Sequence, residues 1–143
     1  MPNAKDYVAK LITGIHESLY RLTGGGLGGR VAGMPVLLLT TTGRKSGQPR
    51  TTPLTYFELD GNVVIIASYG GDDRHPQWYQ NLVHNPSVTI ERGRGKEQLI
   101  ARTASAEEKK KWWPTITSTY SGYAGYQRRT QRDIPVVAMT PAN

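Results

Sequence analysis

Apolar residues near the start of the chain recur at intervals of three and four, which predicts an amphipathic helix over about residues 4–22. The positions on this face are Val8, Leu11, Ile12, Ile15, Leu19 and Leu22. A glycine-rich connection, Gly24 to Gly33, ends the helix. Within it, Gly24, Gly26 and Gly29 fit the spacing G-x-G-x-x-G, but a helix precedes them and a strand follows. A dinucleotide-binding fold has the opposite order, so that interpretation is rejected.

From residue 34 onward, short apolar or alternating runs bounded by turn residues predict β-strands. The predicted strands cover Met34–Thr42, about Thr51–Leu59, Asn62–Ser68, Ser87–Glu91, Gln98–Thr103 and the segment IPVVAMT at residues 134–140. Asp60-Gly61 is a two-residue hairpin signal, and the charged segment RGRGKE joins the fourth and fifth strands. Six strands joined mostly by hairpins favour a mainly β fold with flanking helices, specifically a small antiparallel barrel.

Helical segments interrupt the strands at two places. The segment HPQWYQNLVHN predicts a short helix that begins near Pro76, a residue tolerated in a first helical turn. Ser105 followed by Glu108 is a capping-box pattern, which predicts a helix from there to about Thr119. The stretch from Tyr120 to Tyr126 is expected to be irregular or helical.

The length and composition of the chain indicate how many domains it has and what kind of partner it binds. The chain has 143 residues, no cysteine and a net charge of +7. No repeat or linker divides it, so we predict one domain, 1–143, with the helix and connection in residues 1–30 and the barrel in residues 31–143. The charge favours an anionic partner such as nucleic acid, acidic lipid or a phosphorylated cofactor. The lack of cysteine suits a reducing cytosol, and no secretory signal or membrane span is expected.

The segment TTTGRKSGQPRTT, from Thr40 to Thr52, joins the first two predicted strands and carries three cations, Arg44, Lys45 and Arg50. Its residue order differs from that of a P-loop, and a strand rather than a helix follows. Backbone N–H groups in a turn can still surround an anion, and arginine can bind phosphate or carboxylate through two hydrogen bonds. Two interpretations stay open: an anion site, or a solvated cationic turn.

Three phenols, Tyr120, Tyr123 and Tyr126, recur every third residue among glycine and serine. This spacing brings them to one side of a tight helical turn. They can either cover the end of the barrel by packing or form a polar lid over a pocket, since a phenol can stack on a flat ligand and also donate a hydrogen bond.

Other reactive side chains form no recognisable catalytic or metal-binding pattern. His16, His75 and His84 lack the spacing of metal ligands, so no metal site is expected. Ser46 and Ser68 have no partners resembling a catalytic triad, and the carboxylates are few and scattered.

Five segments together resemble the deazaflavin-dependent nitroreductase family of actinobacteria. They are LLLTTTGRKSGQPRTTPL, ASYGG, HPQWYQNLVHNPSV, ARTASAEEKKKWWP and YSGYAGYQRRTQRDIPVV, which appear in order from about Met34 onward. The resemblance implies a split β-barrel related to the FMN-binding pyridoxine-phosphate oxidases. It also implies the use of reduced 8-hydroxy-5-deazaflavin, coenzyme F-420.

The resemblance assigns roles to particular residues. Arg44, Lys45 and Arg50 would pair with the phosphodiester and oligoglutamate tail of the coenzyme. Further coenzyme contacts would come from Ser46, Gly47, Gln48, Pro53, Ala67, Ser68, Tyr69, Trp78 and Asn81. Tyr69 departs from the family, whose members often have lysine there. Tyr120, Tyr123 and Tyr126 would close the substrate side and, with the Ser68 hydroxyl, stabilise charge that develops on the acceptor.

The expected activity is hydride transfer from the reduced coenzyme to a quinone, a nitroaromatic or an activated alkene. The resemblance implies a cytoplasmic protein, monomeric or homodimeric, whose partner is a small hydrophobic acceptor. Lys5, Lys10 and Arg21 beside the apolar helix face would permit contact with the inner membrane surface. Two alternatives are an FMN-binding oxidoreductase of the same barrel class and a basic nucleic-acid-binding barrel, the latter supported only by charge and aromatic residues.

Overall fold

The computed structural model describes residues 30–31 and 34–142. The strands in these residues are β1 (Arg30–Val31), β2 (Met34–Thr42), β3 (Pro49–Thr55), β4 (Phe57–Leu59), β5 (Asn62–Ile66), β6 (Ser87–Arg92), β7 (Gly95–Thr103) and β8 (Val136–Pro141). The α-helices are α1 (Gln77–His84), α2 (Ala106–Thr119) and α3 (Gly122–Arg129), and Tyr69–Gly71 forms a 3-10 turn. The predicted helix over residues 4–22, its glycine-rich connection and the membrane contact through Lys5, Lys10 and Arg21 lie outside the described residues.

The strands form an antiparallel sheet whose ends are joined by the chain itself. The order is β1-β2-β6-β7-β8-β5-β4, and β3 pairs with β2 along its whole length. Only Tyr56 separates β3 from β4, and its N–H donates to the Pro35 carbonyl at 3.2 Å. The sheet therefore curls round until β3 and β4 meet at Tyr56, which produces the split β-barrel expected from the sequence.

Alternate residues of the strands point into the barrel, as the two-residue period of a strand requires. The strand residues of this buried interior cluster are Leu37, Leu39, Ile65, Val88, Ile90, Leu99, Ala101, Val137 and Met139. Trp78 and Leu82 of α1 belong to the same cluster. The short helix predicted near Pro76 is therefore present, and its apolar side closes the barrel.

A second apolar cluster lies on the outer face of β4, β5 and β8, where α2 and α3 cover it. Its main members are Phe57, Val64, Ile66, Trp112, Ile116, Tyr123, Val136 and Ala138. The predicted capping box is confirmed, because the Ser105 hydroxyl accepts from the Glu108 N–H and the Glu108 carboxylate accepts from the Ser105 N–H. Trp112 Nε1 also donates to Asp60 Oδ2 at 2.7 Å, which ties α2 to the β4–β5 hairpin.

The second predicted strand, Thr51–Leu59, was wrong as a single element. It begins earlier, at Pro49, and Tyr56 divides it into β3 and β4 because the chain passes there from one end of the sheet to the other. The count of six strands was therefore too low for the described part of the chain. Pro49 and Pro53 lack a donor N–H, but they are tolerated because β3 pairs only with β2 and is therefore an edge strand.

Other boundaries also moved, including that of the final strand, which spans Val136–Pro141 and not residues 134–140. The strand predicted to end at Ser68 ends at Ile66, because Ser68 has helical backbone angles and a left-handed turn follows. The segment Gly95 to Glu97, predicted as part of a hairpin connection, pairs with β6. Tyr120–Tyr126 leads into the regular helix α3, which extends to Arg129.

The Asp60-Gly61 hairpin signal is confirmed, since both residues have positive φ angles of 50° and 79°. Among the helices of the described residues, none has both the length and the apolar composition required to cross a bilayer.

Candidate active site

Hydrogen bonds hold the basic turn, defined as Gly43–Arg50, in one compact shape. The Gly43 N–H donates to the Gln48 carbonyl and the Gly47 N–H to the Gly43 carbonyl, both at 2.8 Å. The Ser46 hydroxyl accepts from the Gln48 N–H at 3.1 Å and from Arg50 Nη2 at 3.4 Å. Gly47 has a φ angle of 71°, a left-handed conformation that favours glycine. The turn is therefore preformed.

Asn81 of α1 fixes the basic turn to the closed end of the barrel. Its buried side-chain oxygen accepts from the Arg44 backbone N–H at 3.2 Å and from Arg44 Nη1 at 2.9 Å. Its amide nitrogen donates to Thr41 Oγ1 at 3.2 Å. Asn81 thus orients Arg44, and its contact with a coenzyme stays a prediction.

The positive charge of the basic turn is not neutralised by a carboxylate in the described part of the chain. Lys45 and Arg50 are exposed, and no described carboxylate forms an ion pair with Arg44, Lys45 or Arg50. By contrast, Arg92 and Arg102 are paired with glutamates. A preformed cationic turn without a carboxylate partner is suited to a multiply charged anion.

The segment Ala67–Asp72, called here the 67–72 loop, contains three consecutive left-handed residues. Tyr69, Gly70 and Gly71 have φ angles of 46°, 64° and 83°. The conformation costs a non-glycine residue about 1–2 kcal/mol. A Cβ atom on Gly71 would lie 2.9 Å from the Tyr126 carbonyl oxygen, so the loop touches the main chain of α3.

Tyr69, whose side chain was expected to contact the coenzyme, has a cation beside it. The Arg74 guanidinium carbon is 5.6 Å from the centroid of the Tyr69 ring, within cation–π range. Arg74 also forms an ion pair with Asp72 at 3.1 Å. The ring of Tyr69 is thus held against a charged group of the same loop region.

The sequence did not indicate that Arg132 belongs to this region. Its guanidinium donates to the main-chain carbonyls of Ala67, Ser68 and Asp72. Arg132 lies within the family-like segment YSGYAGYQRRTQRDIPVV, but neither periodicity nor a motif distinguishes it from the neighbouring arginines. Only tertiary structure brings it to the 67–72 loop.

The three phenols predicted to act together do lie together. Ring centroids are 5.2 Å apart for Tyr120 and Tyr123, 6.0 Å for Tyr123 and Tyr126, and 6.3 Å for Tyr120 and Tyr126. A Cβ atom on Gly122 would lie 2.4 Å from the Tyr120 ring, so glycine there lets this ring fold over the start of α3.

The phenols form two hydrogen-bonded pairs with different surroundings. The buried Tyr123 hydroxyl is 2.7 Å from Thr55 Oγ1 of β3. Tyr120 and Tyr126 are half-buried, and their hydroxyls are 3.2 Å apart. Burial raises the pKa of Tyr123, and the hydrogen bond with Tyr120, followed by burial, raises the pKa of Tyr126. Both phenols therefore keep their protons at neutral pH and can donate hydrogen bonds.

Strand β3 connects the basic turn to the phenols. Arg50 lies at its start, and Thr55, five residues later, contacts Tyr123. At the rise of an antiparallel strand this separation is roughly 17 Å. Pro53 lies between them and is half-buried, whereas Trp78 is almost wholly buried in the interior cluster with Ala67. A ligand that reached both ends of β3 would have to be long, anionic at one end and flat at the other.

A separate cavity of about 220 Å³ lies outside this arrangement. It is lined by His75, Tyr79, Thr103, Ala104, Ser105, Ala106, Lys109, Asp133, Ile134, Pro135 and Val136, none of which was predicted as a site residue. Within the described residues, no group of three or more histidine, aspartate or glutamate side chains is arranged to hold a metal ion.

The protein is a small split β-barrel whose edge strand β3 has a cationic turn at one end and phenols at the other. The family model described as F420H(2)-dependent quinone reductase matches residues 13–141. A protein named F420H(2)-dependent quinone reductase from Mycobacterium tuberculosis is 42% identical over 130 residues, which cover 88% of this chain and 87% of that protein. The chain belongs to the F420H(2)-dependent quinone reductase family, and it is therefore an F420-dependent reductase.

Solved structures agree with this assignment. An F420-H2 dependent reductase, FDR-A, has 41% identity and a TM-score of 0.67 over 74% of this chain and 94% of its own. A domain-swapped dimer has 38% identity and a TM-score of 0.69 over 88% of this chain and 96% of its own. A candidate pyridoxamine 5′-phosphate oxidase from Listeria innocua covers 90% of this chain and 94% of its own with a TM-score of 0.53, but its 11% identity supports the fold alone.

Proposed function

We propose that this protein transfers a hydride from reduced coenzyme F-420 to a quinone or to another flat hydrophobic acceptor, such as a nitroaromatic or an activated alkene. The observation that carries the proposal is the arrangement along β3, with the basic turn at one end and the phenols at the other. Family membership supports both the coenzyme and the quinone.

The basic turn suits the anionic part of this coenzyme. Arg44, Lys45 and Arg50 would hold the phosphodiester and the oligoglutamate tail, with Ser46, Gly47 and Gln48 as turn donors. Because Asn81 already orients Arg44, little conformational freedom is lost when an anion binds. Pro53, Ala67, Ser68, Tyr69 and Trp78 would border the ring system.

When bound, the reduced coenzyme supplies the hydride, so the protein needs no nucleophile of its own. The residues of the chain position the acceptor and exclude water. As the acceptor is reduced, negative charge develops on one of its oxygens. The hydroxyls of Tyr120 and Tyr126, together with that of Ser68, would donate hydrogen bonds to this oxygen. We propose that the final proton comes from water and that no single side chain is an essential acid.

We also propose a cytoplasmic enzyme that acts as a monomer or a homodimer. The relative that forms a domain-swapped dimer supports the homodimer. Light scattering on the purified protein, with and without the coenzyme, measures its mass directly.

Binding of oxidised F-420, followed by fluorescence, tests the basic turn. We expect the double substitution Lys45→Gln/Arg50→Gln to raise the dissociation constant by about tenfold for each cation removed, or ~1.4 kcal/mol per cation. The difference should shrink as salt is added, because exposed charges are screened. The control is Arg94→Gln/Lys96→Gln, which removes two exposed charges from the β6–β7 hairpin.

Equal affinity of the wild type and the Lys45/Arg50 variant in dilute buffer contradicts the proposed coenzyme site. The same titration with FMN, and salt-dependent binding of a labelled oligonucleotide, tests the two alternatives. Tighter binding of either one than of F-420 favours that alternative. A screen of quinones, nitroaromatics and activated alkenes with the reduced coenzyme then identifies the class of acceptor.

A further inference from the structure

Arg132 crosses from the segment before β8 to the 67–72 loop, and every loop atom that it binds is a main-chain carbonyl oxygen. Nη1 and Nη2 both donate to the Ala67 carbonyl at 3.2 Å. Nη2 also donates to the Ser68 carbonyl at 2.9 Å, and Nε donates to the Asp72 carbonyl at 2.9 Å. One side chain therefore holds both ends of the loop.

The bonds of Arg132 enclose the strained part of the loop. Its acceptors lie before and after the three left-handed residues, of which Tyr69 has a side chain that disfavours this conformation. A conformation of this kind persists only where the surrounding structure holds it in place. The main-chain path of Ser68 and Tyr69 thus depends on the guanidinium.

Arg132 is in turn held in place both at its main chain and at its guanidinium. Gln127 Nε2 donates to the Arg132 carbonyl at 2.7 Å, and the Arg132 N–H donates to Thr130 Oγ1 at 3.3 Å. Thr130 Oγ1 donates to Asp73 Oδ1 at 2.8 Å, and Arg132 Nη1 donates to His75 Nδ1 at 3.1 Å. The cross-link is therefore fixed both by α3 and by the chain that follows the loop.

We propose that Arg132 is a positioning residue, which fixes the carbonyls of Ala67 and Ser68 so that the 67–72 loop presents a preformed edge to the coenzyme and the acceptor. This inference rests on the proposed function. A planar guanidinium with several fixed donors can hold both ends of the loop at once. The ammonium of lysine is a compact point charge and cannot do so. A preformed binding edge lowers the entropy lost on binding and improves orientation during reaction.

The test compares Arg132→Gln and Arg132→Lys with the wild type. The control, Arg102→Gln, removes a half-exposed arginine that pairs with Glu108 far along the chain from the loop. The first measurement, on the protein without coenzyme, is hydrogen exchange of the amides of residues 68–72. The second is the affinity for oxidised F-420, and the third is kcat and KM for a quinone.

For Arg132→Gln we expect loop exchange to accelerate at least tenfold, the dissociation constant for F-420 to rise about tenfold, and kcat to fall more than KM rises. Exchange in β6 and β7 should be unchanged. Arg132→Lys should have the melting temperature of the wild type, but its loop amides should still exchange fast and its affinity for F-420 should still be weak. If Arg132 contributed only to overall stability, a variant with the melting temperature of the wild type would also have its loop exchange and its affinity. Arg102→Gln should match the wild type in all three measurements.

Loop exchange and F-420 affinity within twofold of the wild type in both Arg132 variants would overturn the proposal. If Arg132→Gln does not fold, Arg132→Lys decides, and full restoration of loop exchange and affinity by lysine overturns the proposal. If the wild-type protein does not bind F-420, the proposed function is contradicted. The cross-link can still be tested in that case, because hydrogen exchange is measured on the protein without coenzyme.

Discussion

At the scale of single residues, the structure divides the three tyrosines into different roles. Tyr123 is buried, and its hydroxyl is engaged by Thr55, so this phenol connects α3 to β3. Tyr120 and Tyr126 are half-buried and share one hydrogen bond, which leaves a phenol proton available for a ligand. The sequence grouped the three residues by spacing and could not separate them.

The different surroundings of Tyr126 and Tyr123 predict that one substitution affects mainly the rate of reduction and the other mainly the stability. Tyr126→Phe should lower the rate of quinone reduction by roughly a hundred- to a thousandfold, the range for loss of one hydrogen-bond donor to a developing oxyanion. Its stability should change little. Tyr123→Phe should lower the free energy of unfolding by about 1 kcal/mol because the hydrogen bond with Thr55 is removed. Steady-state kinetics and denaturant unfolding of both variants provide the check.

A millionfold loss of rate in Tyr126→Phe would contradict the proposal that no side chain is an essential acid. Tyr120→Phe serves as the companion variant, since it removes the other hydroxyl of the same hydrogen-bonded pair.

At the scale of elements, the approach of the 67–72 loop to α3 determines how the two halves of the site fit together. The contact requires a glycine at residue 71, since a side chain there would meet the main chain of Tyr126 and the Cβ of Arg129. Gly70 has a similar left-handed backbone, but nothing lies within 4 Å of where its Cβ would be. A substitution at Gly70 therefore tests backbone strain alone, whereas one at Gly71 tests backbone strain together with steric crowding.

Gly70→Ala should lower the free energy of unfolding by about 1–2 kcal/mol, the penalty for a side chain in the left-handed region. Gly71→Ala carries the same backbone penalty and must also displace α3, for which overpacking typically adds about 1–3 kcal/mol. We expect the second variant to be the less stable by urea unfolding and to bind F-420 more weakly. Equal stability of the two variants would show that the loop does not constrain α3.

At the scale of the whole molecule, the partly buried contact between Arg132 and His75 makes stability depend on pH. Burial and, secondarily, the Arg132 charge lower the pKa of His75 below its usual 6.5. The side chains facing the imidazole are Arg132, whose Nη1 donates to Nδ1, and the Tyr79 ring, with centroids 4.9 Å apart. The folded state therefore favours a neutral His75.

The sign of the effect follows from proton binding. Near pH 6 the unfolded chain binds more protons at this residue than the folded chain does, so the free energy of unfolding must rise with pH. We expect the free energy of unfolding to reach its full value above about pH 7 and to decrease as the pH falls through about 6.5. It should level off below the lowered pKa of His75 in the folded protein. His75→Gln should flatten this part of the profile in urea unfolding, whereas the exposed His84→Gln should not. An identical pH profile of stability for His75→Gln and the wild type would exclude His75 as the source of the pH dependence.

Much of the barrel was predictable from the sequence because its signals are local. A short apolar run gave β2 its correct bounds, Asp60-Gly61 gave the hairpin, and Ser105 with Glu108 gave the start of α2. Tyr56 was not predictable, since it has a β-forming side chain between two β-like runs. It interrupts the strand only because the two ends of the sheet meet there.

By itself, the sequence determined the antiparallel barrel, the cationic turn between its first two long strands and the family to which the chain belongs, because periodicity, turn chemistry and ordered motifs are properties of neighbouring residues. Tertiary structure alone decided which distant groups meet: Asn81 with Arg44, Thr55 with Tyr123, and Arg132 with the carbonyls of the 67–72 loop. Contacts between residues separated by 37 to 68 positions depend on the curvature of the closed sheet, and no local pattern encodes that curvature.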